Sequence, residues 1–136
     1  MGYTATATAK GGRNGHVETA DGTVKFDLSL PKELGGASKE KTANPEQLFA
    51  AAYAACFGGA LDVAARQAKV EAKDAAVTTE VTIDKNDSGF FLAGKIRVSM
   101  PGVDRATAEK LVQEAHQICP YSKATRGNIK VELEVQ

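Results

Sequence analysis

The chain has 136 residues, with 17 basic and 17 acidic side chains and no formal net charge at pH 7, which removes the electrostatic footprint that nucleic acid or an anionic membrane surface requires. Such a length buries about two thirds of its unfolded surface in one core, so a single domain spanning 1–136 is expected, with no disulfide or metal needed to hold it. No basic segment followed by an apolar core opens the chain, so the cytoplasm is the default compartment, and the two cysteines are expected as thiols.

Residues 3–10 alternate Thr and Ala, 16–19 form a short extended run, and 24–30 place Val24, Phe26, Leu28 and Leu30 on one face. The period of two predicts three strands. Asn14-Gly15 and Asp21-Gly22 are dipeptides that close tight turns. The first turn, Gly11-Gly12-Arg13-Asn14-Gly15, holds Arg13 out on a tip. The Gly, Ser, Lys and Glu of 31–42 predict a mobile connector.

A helix follows, around which the chain is organised. Asn44 is its cap, Pro45 suits the first helical position where a missing N–H is no loss, and Gln47 completes a capping box. From Leu48 to Leu61 no residue is charged, so burial on all sides is expected. At ~21 Å this run is too short for a membrane span and too rich in Ala and Gly. Cys56 lies within it, beside Gly58-Gly59. Two interior glycines cost about 1 kcal/mol each relative to Ala, which predicts close approach to the backbone there by another helix or a substrate.

Val77, Thr79, Val81 and Ile83 alternate with polar residues, and 90–100 returns with Leu92, Ile96, Val98 and Met100 on one face, a hairpin turning at Asn86-Asp87-Ser88-Gly89. Asp104 caps a second helix with the stripe Ala108, Leu111, Val112, Ala115, Ile118 and Cys119. Pro120 ends that helix. Ile129, Val131, Leu133 and Val135 face inward on a last strand. The order is βββα followed by ββαβ, an α+β protein built on antiparallel hairpins.

Either cysteine is accounted for as a small core residue. Two thiols that meet in space would do more: one thiolate attacks an O–O bond, becomes a sulfenic acid, and is captured by the other as a disulfide. That thiolate needs a nearby cation, because apolar surroundings raise a thiol pKa. Arg13 is the candidate, with a solvated turn residue as the plain alternative. Glu46 suits the helix dipole and could also fix the guanidinium through its fork geometry. Ten residues of helix rise ~15 Å, so a site holding both Glu46 and Cys56 takes Glu46 from a second chain. A metal reading rests on His116 and Cys119, with His16 and Cys56 as further donors, but no paired ligand motif supports it. A non-enzymatic dimer binding an apolar ligand also remains open.

Gly11-Gly12-Arg13-Asn14-Gly15, the stretch from Asn44-Pro45-Glu46-Gln47 to Cys56-Phe57, and Cys119-Pro120-Tyr121-Ser122-Lys123-Ala124-Thr125-Arg126-Gly127-Asn128-Ile129 resemble the Ohr proteins, the organic hydroperoxide resistance branch of the OsmC/Ohr superfamily. The likeness spans nearly the whole chain. Ala52 stands where Gly is common and Lys123 where Asn is common. The resemblance implies an OsmC-like fold and an intertwined homodimer around buried central helices, with sites at the subunit interface. It implies a thiol peroxidase reducing alkyl and lipid hydroperoxides, with Cys56 peroxidatic, Cys119 resolving, and Arg13 with Glu46 activating the thiolate, in apolar surroundings expected to include Phe49, Tyr53 and Phe57 and to favour a hydrocarbon tail over hydrogen peroxide. No bound cofactor or metal is implied, and the electron donor is an external dithiol of the dihydrolipoyl type carried on a lipoylated protein.

Overall fold

Turn chemistry shapes the N-terminal part of the chain. In the computed structural model, which describes Met1–Gln136, strands β1 (Ala7–Lys10), β2 (His16–Thr19) and β3 (Lys25–Asp27) form an antiparallel sheet in the order β1-β2-β3. The glycine-rich tip between β1 and β2 is a short 3-10 turn, Gly12–Asn14. The strands are shorter than the alternation predicts. Residues 3–6 lie outside β1, and Leu28 leaves the sheet for a bridge to Ala43. Of the row expected to face inward, only Leu28 is buried, while Val24 and Phe26 are 42% and 43% exposed. Ala9, Val17 and Phe26 stand in register across the sheet, with Ala9 and Phe26 exposed and Val17 half-buried.

The segment 31–42 is more ordered than a bare connector. It contains a 3-10 turn, Lys32–Leu34, and its backbone folds back on itself through Ser38 N–H to Leu30 C=O and Gly36 N–H to Pro31 C=O.

Helix α1 (Pro45–Gln67) starts as its signal requires. Gln47 N–H donates to Asn44 Oδ1 at 2.8 Å, and Asn44 N–H donates to Gln47 Oε1 at 3.1 Å, which satisfies two of the amides left free at a helix start. The helix extends beyond the uncharged run at both ends, and at 23 residues it is long and apolar enough to cross a bilayer by length and composition alone. What marks it as a core helix is packing, with Tyr53, Phe57, Ala60, Leu61, Ala64 and Ala65 all buried.

Contacts divide the chain into two compact units, Met1–Leu48 and Phe49–Gln136. In the second, β4 (Ala76–Asn86) and β5 (Gly89–Ser99) form the expected hairpin, closed by Asn86 opposite Gly89. Helix α2 (Arg105–Ile118) follows, capped by Asp104, whose side chain accepts from Thr107 N–H. The last strand, β6 (Lys130–Val135), pairs parallel to β5. The hairpins are antiparallel as expected, and the last strand, whose pairing the pattern does not specify, runs parallel because it returns through helices. The helical return includes α3 (Pro120–Thr125), which sequence periodicity missed because six residues are too few to show a period. The core joins α1, β5 and α2 through Phe57, Leu61, Ile96, Val98, Leu111 and Ala115.

Burial of α1 on all sides is not what the single chain provides. Ala51, Ala55 and Gly59 form an exposed stripe at the four-residue spacing that lines one helix face. A Cβ built on Gly58 would meet Val77 Cγ2 at an ordinary 3.9 Å, and one on Gly59 would meet nothing within 4 Å. No close approach within this chain explains the glycine pair.

Candidate functional site

The first candidate group is built on the tip between β1 and β2. Gly11 has φ 77°, a left-handed conformation that costs a glycine nothing. At Gly15 a Cβ would fall 1.7 Å from the Lys10 carbonyl oxygen, so only glycine fits. The tip is tied down by Leu30 N–H, which donates to Asn14 Oδ1, and by Leu28 N–H, which donates to Gly15 C=O.

From this frame Arg13 reaches Glu46 in the first turn of α1. Nη1 donates to Oε2 at 2.9 Å and Nη2 to Oε1 at 2.8 Å, the bidentate fork that matches guanidinium to carboxylate. The Arg13 hydrogen bonds hold the Glu46 carboxyl below its ordinary range against the opposing effect of burial. Hydrogen bonding to Glu46 in turn raises the Arg13 pKa. The anticipated pairing is therefore made within one chain.

The second group lies in the other unit. Proline 120 has no N–H and disfavours helical backbone in the residue before it. Cys119 is extended accordingly, at φ −61° and ψ 121°, ending α2 and capping α3. There it is fully buried, while Cys56 on α1 is half-buried. Their sulfurs stand 3.4 Å apart. Burial is the main cause that pushes the Cys56 thiol up from its ordinary value; a hydrogen bond from the Tyr121 backbone opposes it, and Cys119 adds to the rise. Left to this environment, Cys56 is a protonated thiol at neutral pH.

The aromatic surroundings differ from expectation. Tyr53 and Phe57 are 1% and 0% exposed and belong to the core rather than to a surface a ligand could touch. Phe49 is half-buried, and Tyr121, which motif reasoning did not single out for this role, is 39% exposed. These two rings lie 6.4 Å apart, and Tyr121 packs edge-on against Tyr53 at 5.9 Å.

Neither histidine is brought into a metal-ligating group, and no cluster of three or more His, Cys, Asp or Glu forms. His116 Nδ1 meets Ser122 Oγ at 2.8 Å, and burial, with help from Arg126, lowers its pKa. His16 bridges Asp27 and Glu18 at 2.8 and 2.9 Å. Hydrogen bonds to those carboxylates, Asp27 foremost, raise its pKa.

Comparison with known proteins agrees with this architecture. The family described as OsmC-like protein matches residues 37–134. An organic hydroperoxide resistance protein of Xanthomonas axonopodis pv. citri is 48% identical over 96% of this chain and 92% of its own length. The organic hydroperoxide resistance protein OhrB of Bacillus subtilis is 46% identical over 98% of each chain. The crystal structure of an organic hydroperoxide resistance protein from Legionella pneumophila superimposes with a TM-score of 0.91 at 48% identity, covering 98% of this chain and 97% of that one.

Proposed function

The chain belongs to the OsmC-like family, and on that premise we propose that it acts in organic hydroperoxide detoxification, as a cysteine-based peroxidase that converts alkyl or lipid hydroperoxides to alcohols. The observation that carries the reading is the 3.4 Å separation of Cys56 and Cys119 sulfurs, from residues 63 apart in sequence. The relatives' names supply the substrate class.

In this mechanism the Cys56 thiolate attacks the distal peroxide oxygen. The O–O bond breaks, the alkoxide takes a proton and leaves as the alcohol, and Cys56 becomes a sulfenic acid. Cys119 sulfur then attacks Cys56 sulfur, a disulfide forms, and the oxygen leaves as water. An external dithiol of the dihydrolipoyl type, carried on a lipoylated protein, reduces that disulfide and is itself oxidised to a cyclic disulfide.

The raised Cys56 pKa makes a cation necessary, and Arg13 is the one assigned to it. Its bidentate contact with Glu46 occupies two of five N–H donors. The others remain for the thiolate and for the oxygen that gains charge as the bond breaks. Glu46 and Cys56 are separated by ten helical residues, so the reading takes Arg13 and Glu46 together from a second copy of the chain. The exposed Ala51, Ala55 and Gly59 stripe and the exposed Ala9 and Phe26 of β1-β2-β3 support a homodimer joined along these surfaces. Phe49 and Tyr121 would receive a hydrocarbon tail, which gains from burial where hydrogen peroxide gains nothing. A cytoplasmic location suits two working thiols and a dithiol donor.

Intact-mass analysis after one equivalent of an organic hydroperoxide tests the reading. A loss of two hydrogens, mapped to a disulfide between Cys56 and Cys119, is the expected result. Cys119→Ser should stop at the sulfenic acid after one round. Full peroxide turnover by Cys56→Ser would end the proposal.

A further inference from the structure

Three residues before Cys56 on α1 stands Tyr53, and three residues after Cys119 in α3 stands Ser122. On α1 that spacing puts the two side chains beside each other on one face, and at α3 it runs from the extended N-cap residue to the third helical position. One cross-helix contact is made by the sulfurs, 3.4 Å apart, and one turn along a second is made by Tyr53 OH and Ser122 Oγ, 2.8 Å apart.

This hydroxyl contact is braced on every side. Tyr53 OH also meets Thr125 Oγ1 at 3.1 Å, and Thr125 Oγ1 donates to Ser122 C=O at 3.1 Å. His116 Nδ1 meets Ser122 Oγ from α2, and Arg126 Nη1 donates to His116 C=O at 2.6 Å. Tyr53, Ser122 and Thr125 are 1%, 0% and 2% exposed. Three buried hydroxyls stabilise a core only if all are satisfied. Phe and apolar residues at these places would fill the space without that requirement, so packing alone does not account for them.

We propose that Tyr53 and Ser122 form a positioning pair for disulfide chemistry at Cys56 and Cys119, locking α3 against α1 so that the resolving sulfur stays in reach while the bond closes and reopens. The inference rests on the disulfide cycle described above. In closure, Cys119 sulfur displaces oxygen from the Cys56 sulfenic acid: the S–S bond forms, the S–O bond breaks, and the oxygen departs as water with the thiol proton and the sulfenic proton. The sulfurs must move from 3.4 Å to about 2.0 Å. Side-chain rotation supplies that distance if the two backbones hold their separation. The Tyr53 to Ser122 contact holds it one turn away, beyond the reach of the peroxide.

Effective molarity of the thiol pair, measured by equilibrating the protein in dithiothreitol redox buffers, tests the pair directly. Tyr53→Phe and Ser122→Ala should each lower it about tenfold, the factor that one ordinary hydrogen bond represents. The double variant should fall by less than the product of the two single effects, because the Tyr53 to Ser122 contact is common to both. After one equivalent of organic hydroperoxide, the sulfenic acid trapped by a 1,3-dione should accumulate in the variants, while the rate of the first thiol's loss is unchanged. An effective molarity within about twofold of the parent, with only the melting temperature lowered, would overturn the proposal. Tyr53→Phe keeps the ring and its packing, so it decides the matter if Ser122→Ala folds poorly. The buffer equilibrium uses no peroxide. A parent protein that ignores hydroperoxides yet forms the disulfide in buffer refutes the peroxidase and leaves the positioning pair standing on its own result.

Discussion

Replacing Glu46 by Gln keeps the size of the side chain and removes its charge. Arg13 then faces one carbonyl oxygen and one NH₂ group in place of two anionic oxygens at 2.8 and 2.9 Å. Charge-assisted hydrogen bonds contribute about 1.5–3 kcal/mol each in dry surroundings. Glu46 is 13% exposed, but Arg13 is 38% exposed, so water screens the pair and the expected loss is about 1–2 kcal/mol in total. The pH dependence has a defined sign. Arg13 depresses the folded pKa of Glu46 below its ordinary 4.5, so the stabilisation is fully present above that ordinary value and disappears as pH falls through the depressed one. Urea midpoints of parent and Glu46→Gln, taken at one protein concentration, should therefore differ at pH 7 and converge in acid. Stopped-flow oxidation of Cys56 by an organic hydroperoxide should slow by about tenfold or more, since the guanidinium loses its fixed orientation. A gap in midpoints that is equally large at pH 7 and in acid would refute the ion-pair reasoning. Unchanged oxidation kinetics with a lost ion pair would separate Glu46 from the chemistry.

Gly59→Glu adds a charge to the exposed stripe of α1, where a Cβ meets nothing within the chain. The parent should sediment as a dimer and the variant as a monomer of unchanged helical content; a variant still dimeric would remove this stripe from the interface. Asn44→Ala deletes the capping bond from Gln47 N–H to Asn44 Oδ1 and should cost about 1 kcal/mol, read by denaturant unfolding with an unaltered slope. The two histidines should titrate on opposite sides of 6.5 by NMR, His16 above it and His116 below. Asp27→Asn should move the His16 midpoint down, and the stabilisation His16 provides is the kind lost as pH rises through its folded value.

Local rules were legible where the deciding atoms are neighbours in sequence. Asn44 and Gln47, Asp104 and Thr107, and the turn at Asn86 to Gly89 all form as their residue types require, because a cap or a tight turn is closed within four residues. The alternation of β4 and the stripe of α2 also emerge intact. The same reasoning failed at α3, where Pro120 both ends one helix and begins another and only its terminating role was read. It failed again in naming Tyr53 and Phe57 as surroundings open to a ligand, since an apolar residue on a helix does not declare whether its side chain meets core or surface. The network of Tyr53, Ser122, Thr125 and His116 left one faint signal: hydroxyl residues closely following Cys119, on a helix too short to show a period.

Sequence alone established the order of the strands and the two long helices, the uncharged stretch of α1, the two thiols, and, through extended motif likeness, the family. These rest on composition, local backbone preference and spacing, all properties of short segments. Tertiary structure decided what depends on long-range closure. It paired β6 parallel to β5, closed the Arg13 and Glu46 fork across 33 residues, and brought Cys56 and Cys119 together across 63. It also left a stripe of Ala51, Ala55 and Gly59 uncovered on a helix expected to be enclosed. An apolar helix must be covered, but its sequence does not specify whether the cover comes from its own chain or from another. That choice depends on how much matching surface the rest of the fold can supply.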